Sequence, residues 1–347
     1  MQAAPRSLDP IAPLWDPAFE RDSCGVGLVV DIAGRPSREI VNRALAGLVN
    51  LTHRGGVGAD SRTGDGAGVL TQVPLALFGE TLAAAGHGDL GPGQLGVAMT
   101  FLPSDEVQAS AARQALDQAV RGRGLEPIVW RAVPVDPNAL GDQAVGSMPR
   151  IEQLLIRRPD GMDEDLFERE LFLSRKAADR AAEAASWPEF FVVSCSARTL
   201  IYKAFCLPRD LPLFYLDLQD ERYESAIVLF HQRYSTNTLP TWAMAQPFRF
   251  LAHNGEIDTI GGNRLWMEAR APQLQFPDGT ALSDLRPVVS WEGSDSLSLD
   301  DVVGLLYHAG RSLPHALMML VPEPWEQLPE MDPARRAFYD FHAGLVE

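Results

Sequence analysis

The chain has 347 residues, 46% of them hydrophobic, and 30 Lys and Arg stand against 46 Asp and Glu for a formal net charge of −16. That length allows one large or two ordinary domains around a sizeable core. The acidic balance and the lack of any basic run argue against a nucleic-acid partner, whose phosphates need clustered Lys and Arg. Cys24, Cys195 and Cys206 are odd in number and have no C-x-x-C spacing. This argues against a disulfide framework or a zinc site and suits a reducing compartment. There is no run of about 18 apolar residues and no basic-then-apolar leader. The expectation is a soluble, cytoplasmic protein with no membrane partner.

Residues 1–23 carry Pro5, Pro10, Pro13 and Pro17, a density that resists helix and central strand alike. They read either as a flexible terminus or as a propeptide ending at Ser23. Residues 24–30 form an apolar, β-branched run between polar flanks, which predicts a buried strand headed by the Cys24 thiol. Ile40, Ala44, Leu45 and Leu48 have helical spacing and predict a helix over residues 38–50. The stretch 51–70 is then dense in glycine, as a sharply turning backbone requires. It lacks the G-K-[ST] of a phosphate loop. It is also preceded by a helix and followed by a strand, the reverse of a dinucleotide fingerprint.

A strand over 95–102, a helix over 104–121 capped near Ser104 and a strand over 128–135 read as a compact two-layer β-α-β insertion. Residues 136–149 read as a loop, 151–156 as a strand and 162–185 as an amphipathic helix with acidic residues in its first turn. Residues 190–196 and 199–205 look like paired strands, with Cys195 and Cys206 as core or strand-end residues. Residues 225–230 predict a buried strand delivering His231, Gln232 and Arg233, and residues 248–252 another delivering His253, Asn254 and Gly255. Helices are expected over 263–270, over 298–309 with Asp300 and Asp301 in the first turn and Gly310 as the stop, and from Pro333 to about residue 343 behind an Asp332 cap.

A thiol, a guanidinium, amide donors and a carboxylate thus recur at strand ends beside glycines, which suggests one site at the rim of a sheet sandwich. The segments Cys24-Gly25-Val26-Gly27, His53-Arg54-Gly55-Gly56, 231–237 and His253-Asn254-Gly255-Glu256 resemble, in that order, the class II glutamine amidotransferases. More narrowly, residues 53–68, 240–248 and 257–264 resemble the amidotransferase domain of glutamate synthase large subunits. The resemblance covers the chain from about residue 20 to its end.

It implies an α+β fold, the four-layer αββα sandwich of N-terminal nucleophile hydrolases. Residues 1–23 would be removed, and 24–347 would be a type 2 amidotransferase domain, a fragment of a longer enzyme. Cys24 would be the nucleophile and its freed α-amine the general base, since an amide nitrogen bonded to Ser23 has no usable lone pair. Arg233, with Thr236 nearby, matches the glutamine α-carboxylate ligand, a role that suits a bidentate guanidinium. Asp295 matches the acceptor of the substrate α-ammonium. The Asn254 side chain and the Gly255 N–H match the oxyanion hole. His53, Arg54, His231 and His253 read as residues that shape the surrounding loops.

The implied reaction is hydrolysis of L-glutamine to glutamate and ammonia, with the ammonia passed to a synthase site that makes glutamate from 2-oxoglutarate. No cofactor or metal is expected in this segment. The family's FMN and iron–sulfur cluster would lie in other synthase domains of the same polypeptide, with an electron-donating small subunit as a further partner. The alternatives are a class II amidotransferase serving another ammonia acceptor, such as a sugar phosphate or a phosphoribosyl pyrophosphate, and a non-catalytic regulatory module of the same fold.

Overall fold

The computed structural model describes residues 25–233, 239–253, 255, 257–274, 276 and 279–343. The expected propeptide, Cys24, Thr236 and Asn254 lie outside the described residues. The strands are β1 (Val26–Val30), β2 (Ala67–Gln72), β3 (Leu95–Leu102), β4 (Glu126–Ala132), β5 (Arg150–Arg157), β6 (Phe191–Ser196), β7 (Thr199–Ala204) and β8 (Ile227–Gln232). The helices are α1 (Arg38–Asn50), α2 (Leu75–Ala84), α3 (Glu106–Gly122), α4 (Asp142–Gly146), α5 (Glu164–Ala185), α6 (Leu211–Phe214), α7 (Ile260–Arg270), α8 (Leu282–Leu285), α9 (Asp295–His308), α10 (Leu313–Leu320) and α11 (Pro333–Ala343).

The fold is α+β, built on two antiparallel four-stranded sheets ordered β1-β8-β2-β7 and β4-β5-β3-β6. Every residue of β3 is buried, and the two-residue period of a strand explains how. Val97, Met99 and Phe101 face a core shared with the first sheet and α1, whereas Ala98 and Leu102 face α3 and α5. The first sheet carries α1 over β1 and β8. There Gly27 and Gly47 leave room for the Phe230 ring, which would lie 2.2 and 2.8 Å from a Cβ at those positions.

Polar groups also link the sheets. Tyr202 on β7 accepts from Gln153 on β5 at 2.9 Å and donates to Asp217 at 2.6 Å, and the same carboxylate takes both Nη groups of Arg131 on β4. Losing one partner of such a buried pair typically costs about 3–5 kcal/mol. A third apolar cluster joins Phe172 and Leu173 of α5 to α7, α9 and α10.

Several expectations are corrected. β1 is not buried. Among the described residues it pairs only with β8, at the edge of its sheet, and leaves Leu28 56% exposed. The 95–135 stretch is no insertion, because β3 and β4 belong to the second main sheet. β6 and β7 exist but do not pair: the chain turns at residues 197–198 and sends β6 to β3 and β7 to β2. The cap of α3 is Asp105, which accepts from Gln108 N, while Ser104 donates to Glu189. The 136–149 loop contains a short 3-10 turn and α4. Residues 248–252 form no strand. Phe248 N instead donates to Leu251 O in a turn, and side chains hold the segment. α9 starts three residues earlier than expected, at Asp295 behind a Ser294 cap, so Asp300 and Asp301 lie in the body of the helix. Gly310 does stop it, with φ +94° and its N–H on Tyr307 O.

His231 and His308 are buried as neutral rings. Burial lowers the pKa of His231 from 6.5 to about 4, and burial beside Arg175, Arg169 and Arg198 lowers that of His308 to about 3. Each ring takes a proton in the unfolded chain near pH 6.5 that the folded protein refuses. Stability is therefore complete above that pH and falls on acidification, by about 2 kcal/mol per residue at pH 5. Denaturant unfolding at pH 7 and pH 5 should show this loss, and His308→Phe should make the pH dependence shallower. Identical slopes in both proteins would contradict the burial argument.

Candidate active site

The end of β8 organises the site. β8 lies between β1 and β2 and delivers His231, Gln232 and then Arg233. Gln232 N donates to Gly25 O at 2.8 Å, so the residue after Cys24 is fixed against the residue before Arg233. Arg233 leaves the strand with φ +103°, a region that side-chain-bearing residues seldom adopt and that costs about 1–3 kcal/mol. Three contacts hold it there. Its N–H donates to Gly66 O at 2.7 Å, its carbonyl lies 3.1 Å from His231 Nδ1, and its Nε lies 3.1 Å from Asp65 Oδ2. That last attraction is an ion pair.

The glycine-dense stretch accounts for the turn. Asp65 accepts from Gly56 N at 2.8 Å and from Gln232 Nε2 at 3.4 Å. Its burial raises the pKa of the carboxyl, and the Gly56 N–H and the Arg233 charge oppose that rise. Gly66 has φ +123°, and a Cβ there would lie 3.1 Å from Ala245 Cβ. The Arg233 turn therefore sits directly against the segment that leads to His253.

That segment is held by side chains. Gln246 is buried and pairs with both backbone groups of His253: Nε2 donates to the carbonyl at 2.7 Å, and Oε1 accepts from the N–H at 2.8 Å. Arg249 reaches Asp300 at 3.2 Å and Asp301 at 3.4 Å, and Phe250 N donates to Asp300 at 2.7 Å. The His253 ring places Nδ1 3.1 Å from Ser296 Oγ. Asp295 is buried at the first turn of α9, where the positive end of the helix dipole favours a carboxylate. It accepts from Ile257 N at 3.2 Å and from Ser296 N and Oγ. Contacts thus run without a break from Arg233 through Gly66 and Ala245 to Gln246, His253, Ser296 and Asp295.

The sequence-predicted residues divide as follows. Arg233, His231, His253 and Asp295 are brought together by this chain of contacts. Gly255 is exposed beside His253, whose Nε2 would lie 3.4 Å from its Cβ. His53 is exposed in the 3-10 turn Thr52–Arg54, with Nδ1 3.0 Å from Asn50 O, and Arg54 is half-buried next to it. Sequence reasoning missed Asp65, Gln246 and Ser296 as site-shaping residues. Asp65 was signalled by the glycines around it, and Gln246 lies within a segment already marked by the resemblance.

Cys206 is buried and Cys195 half-buried, and burial pushes the Cys195 thiol up to about 12, which leaves it an unreactive core group. Among the described residues no three His, Cys, Asp or Glu side chains are grouped so as to hold a metal ion.

Residues 24–347 match the family described as glutamine amidotransferases class-II. The chain is 40% identical to the ferredoxin-dependent chloroplastic glutamate synthase of Spinacia oleracea over 339 residues, covering 96% of this chain and 21% of that protein. It is 40% identical over 311 residues to the glutamate synthase [NADPH] large chain of Azospirillum brasilense, covering 89% and 20%. It is 38% identical over 336 residues to that of Bacillus subtilis, covering 96% and 22%. The chain therefore spans about a fifth of the length of these curated relatives. It belongs to the class-II glutamine amidotransferases.

Proposed function

We propose that this chain is the glutaminase portion of a glutamate synthase, releasing ammonia from L-glutamine through a γ-glutamyl thioester on Cys24. The observation that carries the reading is the single run of contacts joining Arg233 to Asp295, a cation and a buried carboxylate suited to the two ends of an α-amino acid. The four-layer αββα form of the fold belongs to the same reading, supported by the two sheets with α1 on one and α3 and α5 on the other. So does a division into a removable segment, 1–23, and an amidotransferase domain, 24–347.

In this mechanism the α-amine of Cys24 takes the thiol proton, and the thiolate attacks the side-chain amide carbon of glutamine. The oxyanion is held by the Asn254 amide and the Gly255 N–H. The tetrahedral species collapses as the leaving nitrogen takes the proton and departs as ammonia. Water then cleaves the thioester to glutamate and restores the thiol. Arg233 and Thr236 hold the α-carboxylate and Asp295 the α-ammonium throughout, while His53, Arg54, His231 and His253 shape the loops. His231 is held neutral at pH 7 by its burial, so it adds no charge at the end of β8.

The ammonia would pass to a synthase site elsewhere in a longer polypeptide and there form glutamate from 2-oxoglutarate. The FMN, the iron–sulfur cluster and the contact with an electron-donating small subunit would also lie there. The described residues do not fit a cluster, since Cys195 and Cys206 are core groups and no metal-binding set surrounds them. No described helix is long and apolar enough to cross a membrane. We place the protein in the cytoplasm on its unpaired thiols, although the spinach relative is named chloroplastic.

Cys24→Ser should lose nearly all glutamine hydrolysis and keep its circular dichroism spectrum, because an alkoxide forms far less readily than a thiolate at neutral pH. A wild-type rate in a folded Ser variant would remove Cys24 as nucleophile. Arg233→Lys should raise KM for glutamine much more than it lowers kcat, since the carboxylate is bound alike in ground and transition states. An unchanged KM would make Arg233 structural. A form verified by mass spectrometry to begin at Met1 should release no ammonia, whereas one beginning at Cys24 should be active. Its free amine, with an ordinary pKa of about 8, supplies the base. Equal turnover by both forms would rule out the N-terminal-nucleophile mechanism.

A further inference from the structure

The eight residues from Gln246 to His253 form a loop with little backbone pairing of its own, closed by one side chain. The carboxamide of Gln246 faces the His253 peptide groups as a neighbouring strand would, donating to the carbonyl at 2.7 Å and accepting from the N–H at 2.8 Å. Both bonds are made only with the amide oxygen toward the N–H, so the orientation of the amide is fixed by its partners. Gln246 is itself held firmly. It is 1% exposed, and its carbonyl presses on β2, where a Cβ at Gly68 would lie 2.6 Å from that oxygen. Three residues earlier, the Ala243 carbonyl accepts from Nζ of the buried Lys203 at 2.6 Å. On the far side of the loop, Arg249 and Phe250 N bond Asp300, and the His253 ring meets Ser296, so the loop cannot shift without moving α9 as well.

We infer that Gln246 is a positioning residue for the proposed oxyanion donor at Gly255, fixing the His253 peptide two residues before it so that this donor is set before charge develops on the substrate. The inference rests on the proposed glutaminase reading. Donors aimed in advance at the developing oxyanion act in the transition state and add little to ground-state binding. A residue that aims them should therefore govern kcat far more than KM. Gln246 touches no reacting atom in this account and acts through His253.

The chemistry of the pair supplies its own test. A leucine at this position offers neither bond. An ionised glutamate offers two acceptors, one of them facing a carbonyl, whereas a protonated glutamate carries one donor and one acceptor and can restore both bonds. We therefore compare wild-type protein beginning at Cys24 with Gln246→Leu and Gln246→Glu, measuring ammonia release from glutamine across pH 5.5 to 8 together with thermal melts. The expected result at pH 8 is a kcat lower by about 10²-fold in both variants, with KM within about threefold of wild type. The activity of Gln246→Glu relative to wild type should recover at least about tenfold as the pH falls to 5.5, and that of Gln246→Leu should not.

Wild-type kcat in both variants would overturn the inference. So would failure of both to fold, or parallel losses in kcat and KM without acid recovery of the Glu variant, since Gln246 would then serve stability alone. A wild-type protein that begins at Cys24, is folded and releases no ammonia would instead overturn the glutaminase reading itself, and this inference with it.

Discussion

The site depends on a backbone constraint at the end of β8. A strand paired on both sides must stop where its neighbours stop, and here the next residue, Arg233, turns through φ +103°. The turn is unfavourable in isolation and persists because Gly66, Asp65 and His231 each hold one part of it. What the turn achieves is direction. An arginine continuing the strand would follow its alternation across the sheet, whereas Arg233, released at the strand end, meets Asp65 in the glycine-dense stretch before β2.

The second half of the site is placed by burial of charge. Asp300, Asp301 and Arg249 lie in the interior with Arg175 and Lys176, and each finds an opposite charge or a backbone partner there. Such groups are costly to bury and still more costly to separate. The network therefore acts as a clamp between α5, α9 and the loop that carries His253. The Asp295 carboxylate sits at the dipole end of that same α9, and its bonds to Ile257 and Ser296 bring the loop and the helix terminus into one unit.

Much of this was legible in the sequence, and the misses share a cause. Local signals gave α1 and β3 with their observed bounds, the Asp332 cap of α11 and the Gly310 stop of α9, because spacing, capping and left-handed glycine act within a few residues. The glycine density before β2 correctly marked a turning backbone. What failed was partnership. Nothing in residues 190–205 says that two adjacent strands enter different sheets, and nothing in β1 says that it lies at an edge. An apolar run alone cannot distinguish the Phe248–His253 loop from a strand, since its backbone is satisfied by the side chains of Gln246, just before the run, and of Asp300, some 50 residues further along the chain. Of the site, Arg233 and Asp295 came from resemblance, and the structure adds the residues that orient their surroundings.

The central claim is that chemistry begins at one thiol, Cys24, and that the other two cysteines are packing groups. The most direct test is covalent labelling with an electrophilic glutamine analogue, followed by peptide mapping by mass spectrometry. The account predicts a single adduct, on Cys24, formed at stoichiometric yield and suppressed by excess glutamine, with Cys195 and Cys206 unmodified. An adduct at either of those two cysteines that glutamine suppresses, or no adduct at Cys24 in folded protein beginning at that residue, would contradict it.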